Sequence, residues 1–338
     1  MVRGGYGRNF DKVLLNITSN ERRQILGQYA SYTVLNPSYD NPLGGITFET
    51  IKAQNLPRDM IVIANDYKTP TQDQVSIGLA QQVGAGYAVQ MDYVHSKGFN
   101  EPRARRINFF EDPVTHLPRN PTAFGRPFPQ FIDITRYETT AKSDYDGWQF
   151  GFQGRDFGPA WLKAQFSGSY TLSWTYSDHE SNRFDQVTNP FNLADEWSFS
   201  ASDQRHRFIV NGMARLPWDV TLSTIFFAGS PRTINTRTNL DPFGTGTGRW
   251  LDATGATIPR YSARTEKNDY KLDLRLSKDV RIGHMRLQGL VEGFNVLNTK
   301  NLTNYNGVVG ARTYLQAANS TDTFYQPRQV QLGFRVSY

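Results

Sequence analysis

The 338-residue chain contains no cysteine, which excludes a disulfide framework, a thiol nucleophile and any cysteine-based zinc or iron–sulfur centre. It also lacks any stretch approaching the roughly 18 consecutive apolar residues that a membrane-crossing helix requires. The opening residues MVRGGYGRNF show no basic segment followed by an apolar one, so no secretory signal is legible there. Histidine is sparse, and His95, His116, His179, His206 and His284 never fall into an H-x-x-x-H or H-E-x-x-H spacing, which would place two metal ligands on one helix face. Runs of one charge sign are missing too. The formal net charge of +6 comes from Lys and Arg dispersed among acids, with EPRARRINFF the densest cluster; nucleic-acid binding, which needs a concentrated basic face, is therefore not expected.

Aromatic residues are abundant, at 13% with 22 Phe and 17 Tyr, too many for a solvated, disordered polymer. Val, Ile, Tyr, Phe, Trp and Thr recur in runs broken by Gly, Pro, Asn and Asp, the pattern of strands and turns. Many runs divide into two faces when read in twos. In WLKAQFSGSYTLSWTYS, Leu162, Ala164, Phe166, Gly168, Tyr170, Leu172, Trp174 and Tyr176 share one side, and Lys163, Gln165 and a series of Ser and Thr share the other. In YKLDLRLSK, Tyr270, Leu272, Leu274 and Leu276 oppose Asp269, Lys271, Asp273, Arg275 and Ser277. Soluble sandwiches alternate as well, but their strands are usually five or six residues long. A transmembrane β-strand needs about 9 to 11 tilted residues, apolar outside and polar inside, with aromatics at the two interfaces.

Ten segments meet this description, centred near residues 2–10, 72–82, 85–96, 143–154, 161–177, 204–215, 218–229, 267–279, 283–297 and 328–338. Short turns (QVGAG, RDFGPA, LPW and KDVRIGH) alternate with long connections at 11–71, 97–142, 178–203, 230–266 and 298–327. Five such loops would be anomalous in a compact soluble domain, but short periplasmic turns and long extracellular loops are the rule in outer-membrane barrels. QFIDITRYETTAK (130–142) is strand-like, yet as a further crossing it would break the in-and-out parity, so it is assigned to extracellular loop structure.

The expected fold is all-β, an antiparallel transmembrane β-barrel occupying residues 1–338. Asp269, Lys271, Asp273 and Arg275 are expected to form a charge ladder facing the lumen rather than a general acid–base pair. DQRHRF (203–208) is expected at the polar rim where a loop enters the barrel. DYDGWQ (144–149) begins like a calcium loop but lacks the later acidic ligands. GTGTGRW (244–250) lacks the Lys and Ser/Thr that complete a phosphate loop. No G-x-S-x-G or comparable nucleophile setting occurs. The chain is therefore not expected to be an enzyme or to carry a cofactor or metal. Asn- and aromatic-rich loops such as NLTNYNGVVGARTYLQ suit an unknown ligand.

The stretches VRGGYGRNFDK, KTPTQDQVSIGLAQQVGAGYAVQMDYVHSKG, YDGWQFGFQGRDFGPAWLKAQFSGSYTLSWTYSD, SDQRHRFIVNGMARLPW, VEGFNVLNTKNLTNYN and PRQVQLGFRVSY together resemble, in order, the C-terminal barrel of the Oar-like TonB-dependent receptors. They cover roughly half of the chain. The resemblance implies a Gram-negative outer-membrane location, a barrel of about 22 strands of which the last ten are present here, and a signal peptide and plug domain that this sequence does not contain. It implies as partners the membrane lipid, the barrel-assembly machinery, a nutrient ligand and, through the N-terminal region, the TonB complex. It further marks the last strand, with Val330, Leu332, Phe334, Val336 and Tyr338 on its lipid face and Gln329, Gln331, Arg335 and Ser337 on its lumen face, as the signal that assembly reads. Ten strands short of a full barrel are expected either to be aggregation-prone or to form an open, curved sheet with unpaired edges. The alternatives are a complete ten-stranded enzyme of the omptin type, a surface adhesion or export protein, and a soluble β-sandwich. Expressed in a Gram-negative host, the chain should sediment with the membrane fraction and require detergent for release; recovery from the soluble fraction without detergent would refute the membrane assignment.

Overall fold

The computed structural model describes residues 1–12, 15–25, 36–47, 49–50, 58–159, 161–180, 187–317 and 326–338. The strands are β1 (Val2–Phe10), β2 (Arg58–Ile63), β3 (Thr71–Val83), β4 (Tyr87–Arg106), β5 (Phe131–Phe157), β6 (Lys163–Ser177), β7 (Ser198–Phe199), β8 (His206–Leu216), β9 (Val220–Gly229), β10 (Thr233–Ile234), β11 (Ala263–Arg264), β12 (Asp269–Ile282), β13 (Met285–Phe294) and β14 (Gln329–Ser337). Helix α1 (Leu15–Ile25) follows β1, and a single helical turn, α2 (Pro121–Phe124), lies between β4 and β5.

Ten long strands form a continuous wall in the order β1-β3-β4-β5-β6-β8-β9-β12-β13-β14, each antiparallel to the next. All ten expected crossings are present. The wall is open, because β1 pairs only with β3 and β14 only with β13 among the described residues.

The alternation in the sequence becomes two faces because successive Cβ atoms point to opposite sides of a strand. Cross-strand register carries one face unbroken from strand to strand. On the outer side Val330 opposes Gly293, Leu332 opposes Val291, Phe334 opposes Gly289 and Val336 opposes Leu287. These four side chains and Tyr338 are exposed, as are Val75, Ile77 and Leu79 on β3 and Val89 and Met91 on β4. In an outer-membrane barrel that apolar face meets lipid. Gln329, Gln331, Arg335 and Ser337 project to the inner side.

Aromatics bound the lipid face at both ends. Trp161 and Trp218 lie exposed beside the short turns, while Tyr93 and Trp148 meet at 4.9 Å near the opposite end. Trp161, in the turn before β6, and Trp174, on β6, are thirteen positions apart. At about 3.3 Å per residue and a tilt of about 35–45°, they rise some 30–35 Å, close to the thickness of the hydrocarbon layer.

Three details differ from the sequence reading. Residues 131–142 continue β5 as one strand of 27 residues, and β4 runs on to Arg106 beside it. Their alternation simply persists beyond the bilayer, so the parity of crossings is preserved. The turn expected over KDVRIGH shrinks to Gly283–His284, because β12 pairs with β13 as far as Ile282↔Met285. Gly283 takes φ 60° there, a conformation in which a Cβ would clash with the backbone. Finally, β6 begins at Lys163, leaving Trp161 in the turn.

The extended β4–β5 hairpin carries its own small core outside the membrane. β2 adds to β5 in parallel, and Ile17 of α1 packs with Ala104 and Tyr137, flanked by Ile61, Ile63 and Tyr67. The connections after β6 and β9 fold against the mouth of the wall through buried charge. Glu196, 1% exposed, lies 2.7 Å from Arg249 and 3.5 Å from Arg260 and accepts the Thr188 N–H at 2.7 Å. Arg260 also donates to the Ser177 carbonyl at 3.0 Å, fastening the loop to the end of β6. Trp250, fully buried, donates its indole N–H to Thr245 Oγ1 at 2.9 Å and meets the Phe243 ring edge-on at 4.5 Å. His179 is buried beside them, and burial, Arg103 and Arg260 together push its pKa down to about 3.

Glu196→Ala leaves two buried guanidiniums without their carboxylate, a loss of about 3–5 kcal/mol. The variant should gain protease-sensitive sites within 187–265 while circular dichroism shows an unchanged β-spectrum; an unchanged cleavage pattern would contradict the role given to Glu196. His179 stays neutral in the folded protein, whereas the unfolded chain takes up a proton below about pH 6.5. Folded stability is therefore lost as pH falls from about 6.5 toward about 3. In detergent, the urea midpoint should drop between pH 7.5 and 5 in the wild type and change less in His179→Gln.

Candidate functional site

The inner face of the wall carries the polar chemistry, and two of its concave regions are large enough to matter for a site. The first, about 820 Å³ in volume, lies over β8, β9, β12 and β13 and is lined by Arg215, Ser223, Asp273, Arg275, Asp279 and Glu292 among others. The expected ladder of Asp269, Lys271, Asp273 and Arg275 occupies one side of β12, opposite β9 residues Gly229, Phe227, Ile225 and Ser223. The structure divides the ladder into separate partnerships. Lys271 and Asp273 pair at 2.8 Å. Asp273 also accepts the Asn295 backbone N–H at 2.8 Å, bracing the end of β13. Arg275 reaches across to Glu292 on β13 at 3.6 Å, and Asp269 is held by Arg232 at 2.7 Å. Farther down, Asp279 pairs with Arg286 at 2.6 Å. Each carboxylate has a cation, an arrangement suited to a hydrated wall and unsuited to a paired-carboxylate acid–base site, which needs two environments that push the pKa values apart.

The second concavity, about 580 Å³, lies at the mouth between the upper ends of β1, β3, β4, β5 and β6. Asn9, Gln72, Ser143, Thr175 and Ser177 line it from the strands, and His179 and Glu180 from the connection that follows β6. Glu101 enters at the point where the pairing of β4 with β5 slips between Gly98 and Glu101. Its carboxylate accepts the Ser143 hydroxyl at 2.6 Å, and burial raises its pKa. Sequence reasoning missed Glu101, since no short motif surrounds it and its position depends on a register slip.

The stretch DQRHRF sits at the rim, as expected. Asp203 is buried, accepts the Thr175 N–H at 2.8 Å and pairs with Arg264. Arg205 lies over the Trp174 ring at 4.6 Å, and His206 Nδ1 is 2.7 Å from the Tyr170 hydroxyl. These are fastening contacts between β6, β8 and a loop. The Gly-rich GTGTGRW forms a turn closed on Asp241, which accepts the Thr245 and Gly246 N–H groups.

Two aspartates of DYDGWQ acquire a partner that no local motif could supply. Asp144 and Asp146 lie on a strand rather than in a loop, and register places His95 of β4 opposite Asp146. His95 Nδ1 is 3.0 Å from Asp146 and 3.9 Å from Asp144, with ligand atoms of all three inside 4.8 Å. A nitrogen and two carboxylates could hold a divalent cation. They project on the lipid side of the wall, above Tyr93 and Trp148, and the Tyr93 hydroxyl donates to Asp146. Thus the three-residue His/Asp group among the described residues is remote from the lumen.

Known proteins match this architecture rather than its details. Residues 1–265 match the family described as "Outer membrane beta barrel domain". Among solved structures, the outer membrane transporter YddB from Escherichia coli superposes over 98% of this chain with a TM-score of 0.61 at 13% identity. The FrpB iron transporter from Neisseria meningitidis (F3-3 variant) covers 82% with a TM-score of 0.43 at 15% identity. The chain spans 38% of the YddB chain and 32% of the FrpB chain. No curated protein sequence matches it. The alternating wall, its aromatic margins and a family match over most of its length have one reading: the chain belongs to the outer membrane β-barrel domain family of Gram-negative bacteria.

Proposed function

We propose that the chain is the wall of a TonB-dependent receptor that takes up a scarce nutrient across the outer membrane, and specifically part of a larger, plugged barrel. The observation that carries this reading is the open ten-stranded arc itself. Almost all of it superposes on about two fifths of one outer membrane transporter, YddB, and its inner face is polar, with charges paired along β12 and β13. Backbone groups at the free edges of β1 and β14 need partners in hydrocarbon, and further strands of a larger barrel would supply them. In this reading the lumen face contacts a plug, the mouth and its loops capture the ligand, and energy arrives from the inner membrane through the TonB complex. The Oar-like resemblance in the sequence also suggests surface adhesion or protein export on the same scaffold, since fold does not fix function.

The omptin-type reading needs Asp and His residues clustered at the extracellular rim, and the one His/Asp group with close ligand atoms among the described residues, His95 with Asp144 and Asp146, projects to the lipid side. Val330, Leu332, Phe334, Val336 and Tyr338 are proposed as the segment that the barrel-assembly machinery recognises, on the strength of their uninterrupted apolar face.

In the native host, deleting the gene region encoding this chain should abolish accumulation of one labelled compound from a panel of scarce nutrients. Complementation should restore it, and a protonophore should remove it again. An unchanged panel, or accumulation insensitive to the protonophore, would refute energised uptake.

A further inference from the structure

The cavity at the mouth is unlike the charge-paired groove lower in the wall. Its lining among the described residues includes Glu101, Glu180 and Asp11 but no Lys or Arg. Glu180 accepts the Ser200 hydroxyl at 3.2 Å. Glu101 is half-buried, with only the Ser143 hydroxyl bonded to its carboxylate, and burial raises its pKa. Arg103, the cation that acts on Glu101 from a distance, is itself engaged with Asp178 at 2.7 Å.

His179 supplies an independent signal. It borders the cavity, is 8% exposed, and its Nε2 has no hydrogen-bond partner. Its backbone N–H is bound to Ser177 Oγ at 2.9 Å, which fixes the backbone at the cavity edge, while the buried Nε2 is left unsatisfied. The flanking Arg260 cannot serve it as a partner and is spent on the Ser177 and Glu196 carbonyls. A buried polar atom without a partner, and a half-buried carboxylate without a cation, each carry a free-energy cost that a suitable ligand would remove.

The missing partners define that ligand. A positive, hydrogen-bond-donating group satisfies Glu101, and hydroxyl groups satisfy a neutral imidazole nitrogen and the polar atoms of the Asn9 and Gln72 amides that remain after Gln72 Nε2 donates to Ser96 Oγ at 2.6 Å. Anions are repelled by the three carboxylates, and an apolar ligand would leave this polar wall unsatisfied. A volume of about 580 Å³ admits a molecule larger than one sugar ring. We propose that the mouth cavity recognises a small hydroxylated amine, with its ammonium group at Glu101 and Glu180 and its hydroxyls on His179, Asn9 and Gln72. The proposal rests on the uptake reading and names the ligand class for it.

The test is isothermal titration of the full chain in detergent micelles with glucosamine, N-acetylglucosamine and glucose, which share a ring and differ in the charged nitrogen. Glucosamine should bind at least tenfold more tightly than the other two. Glu101→Gln should erase that preference while circular dichroism shows an unchanged β-spectrum, and Glu180→Gln, which preserves shape, should reduce it. Should Glu101→Gln fail to fold, the Glu180→Gln titration carries the same readout. Equal affinity for glucosamine and N-acetylglucosamine, no binding of either, or a full preference retained in both variants would overturn the proposal. Titration in micelles needs no energy coupling. Binding that persists without protonophore-sensitive uptake in cells therefore refutes the transport function and leaves the ligand class intact, whereas uptake without amine preference does the reverse.

Discussion

In hydrocarbon an unpaired backbone N–H or C=O costs several kcal/mol, so a chain that crosses a bilayer as strands must pair every one of them with a neighbouring strand. The rest of this structure is arranged around that requirement. Ten strands hydrogen-bond edge to edge without a gap from β1 to β14, and their length, tilt and period-two chemistry follow from spanning lipid while enclosing water. A slip of one residue would turn every outward side chain inward. That sets the register more firmly than any single contact, and it places Val330, Leu332, Phe334 and Val336 on one face together with their partners on β13.

Charge is handled differently at different depths. Along the inner wall it is neutralised locally between strands, as in Arg275–Glu292 and Asp279–Arg286. At the mouth, where loops must be anchored without an apolar core of their own, it is buried: Glu196 with Arg249 and Arg260, Asp203 with Arg264, Arg103 with Asp178. Fixed cations and carboxylates make these loops a shaped surface rather than flexible tethers. The mouth cavity stands out against this background because Glu101 and His179, within the same network of elements, are left without the partners that their neighbours have.

The ten crossings were legible in the sequence because each one is repeated alternation over nine or more residues, a signal that tertiary context reinforces. The extension of β4 and β5 was harder to see. QFIDITRYETTAK alternates like its neighbours, and only the pairing of Arg103 with Glu138 and Ala104 with Tyr137 reveals it as the upper part of a hairpin. The ladder on β12 was legible as a face but not as a set of bonds, since Asp269 pairs with Arg232 and Arg275 with Glu292 across distances the sequence does not encode. His95 and Asp146 lie 51 positions apart, and only register brings them together.

By itself the sequence determined the class: strands, their two faces, the side that meets lipid and the alternation of short turns with long loops. Those properties are local, fixed by the period of the side chains and the length needed to cross a membrane. Tertiary structure decided which charges meet, where β4 slips to deliver Glu101, and which polar atoms at the mouth remain unsatisfied. Each of these depends on residues far apart in the chain arriving at one place, and no local pattern specifies that arrival.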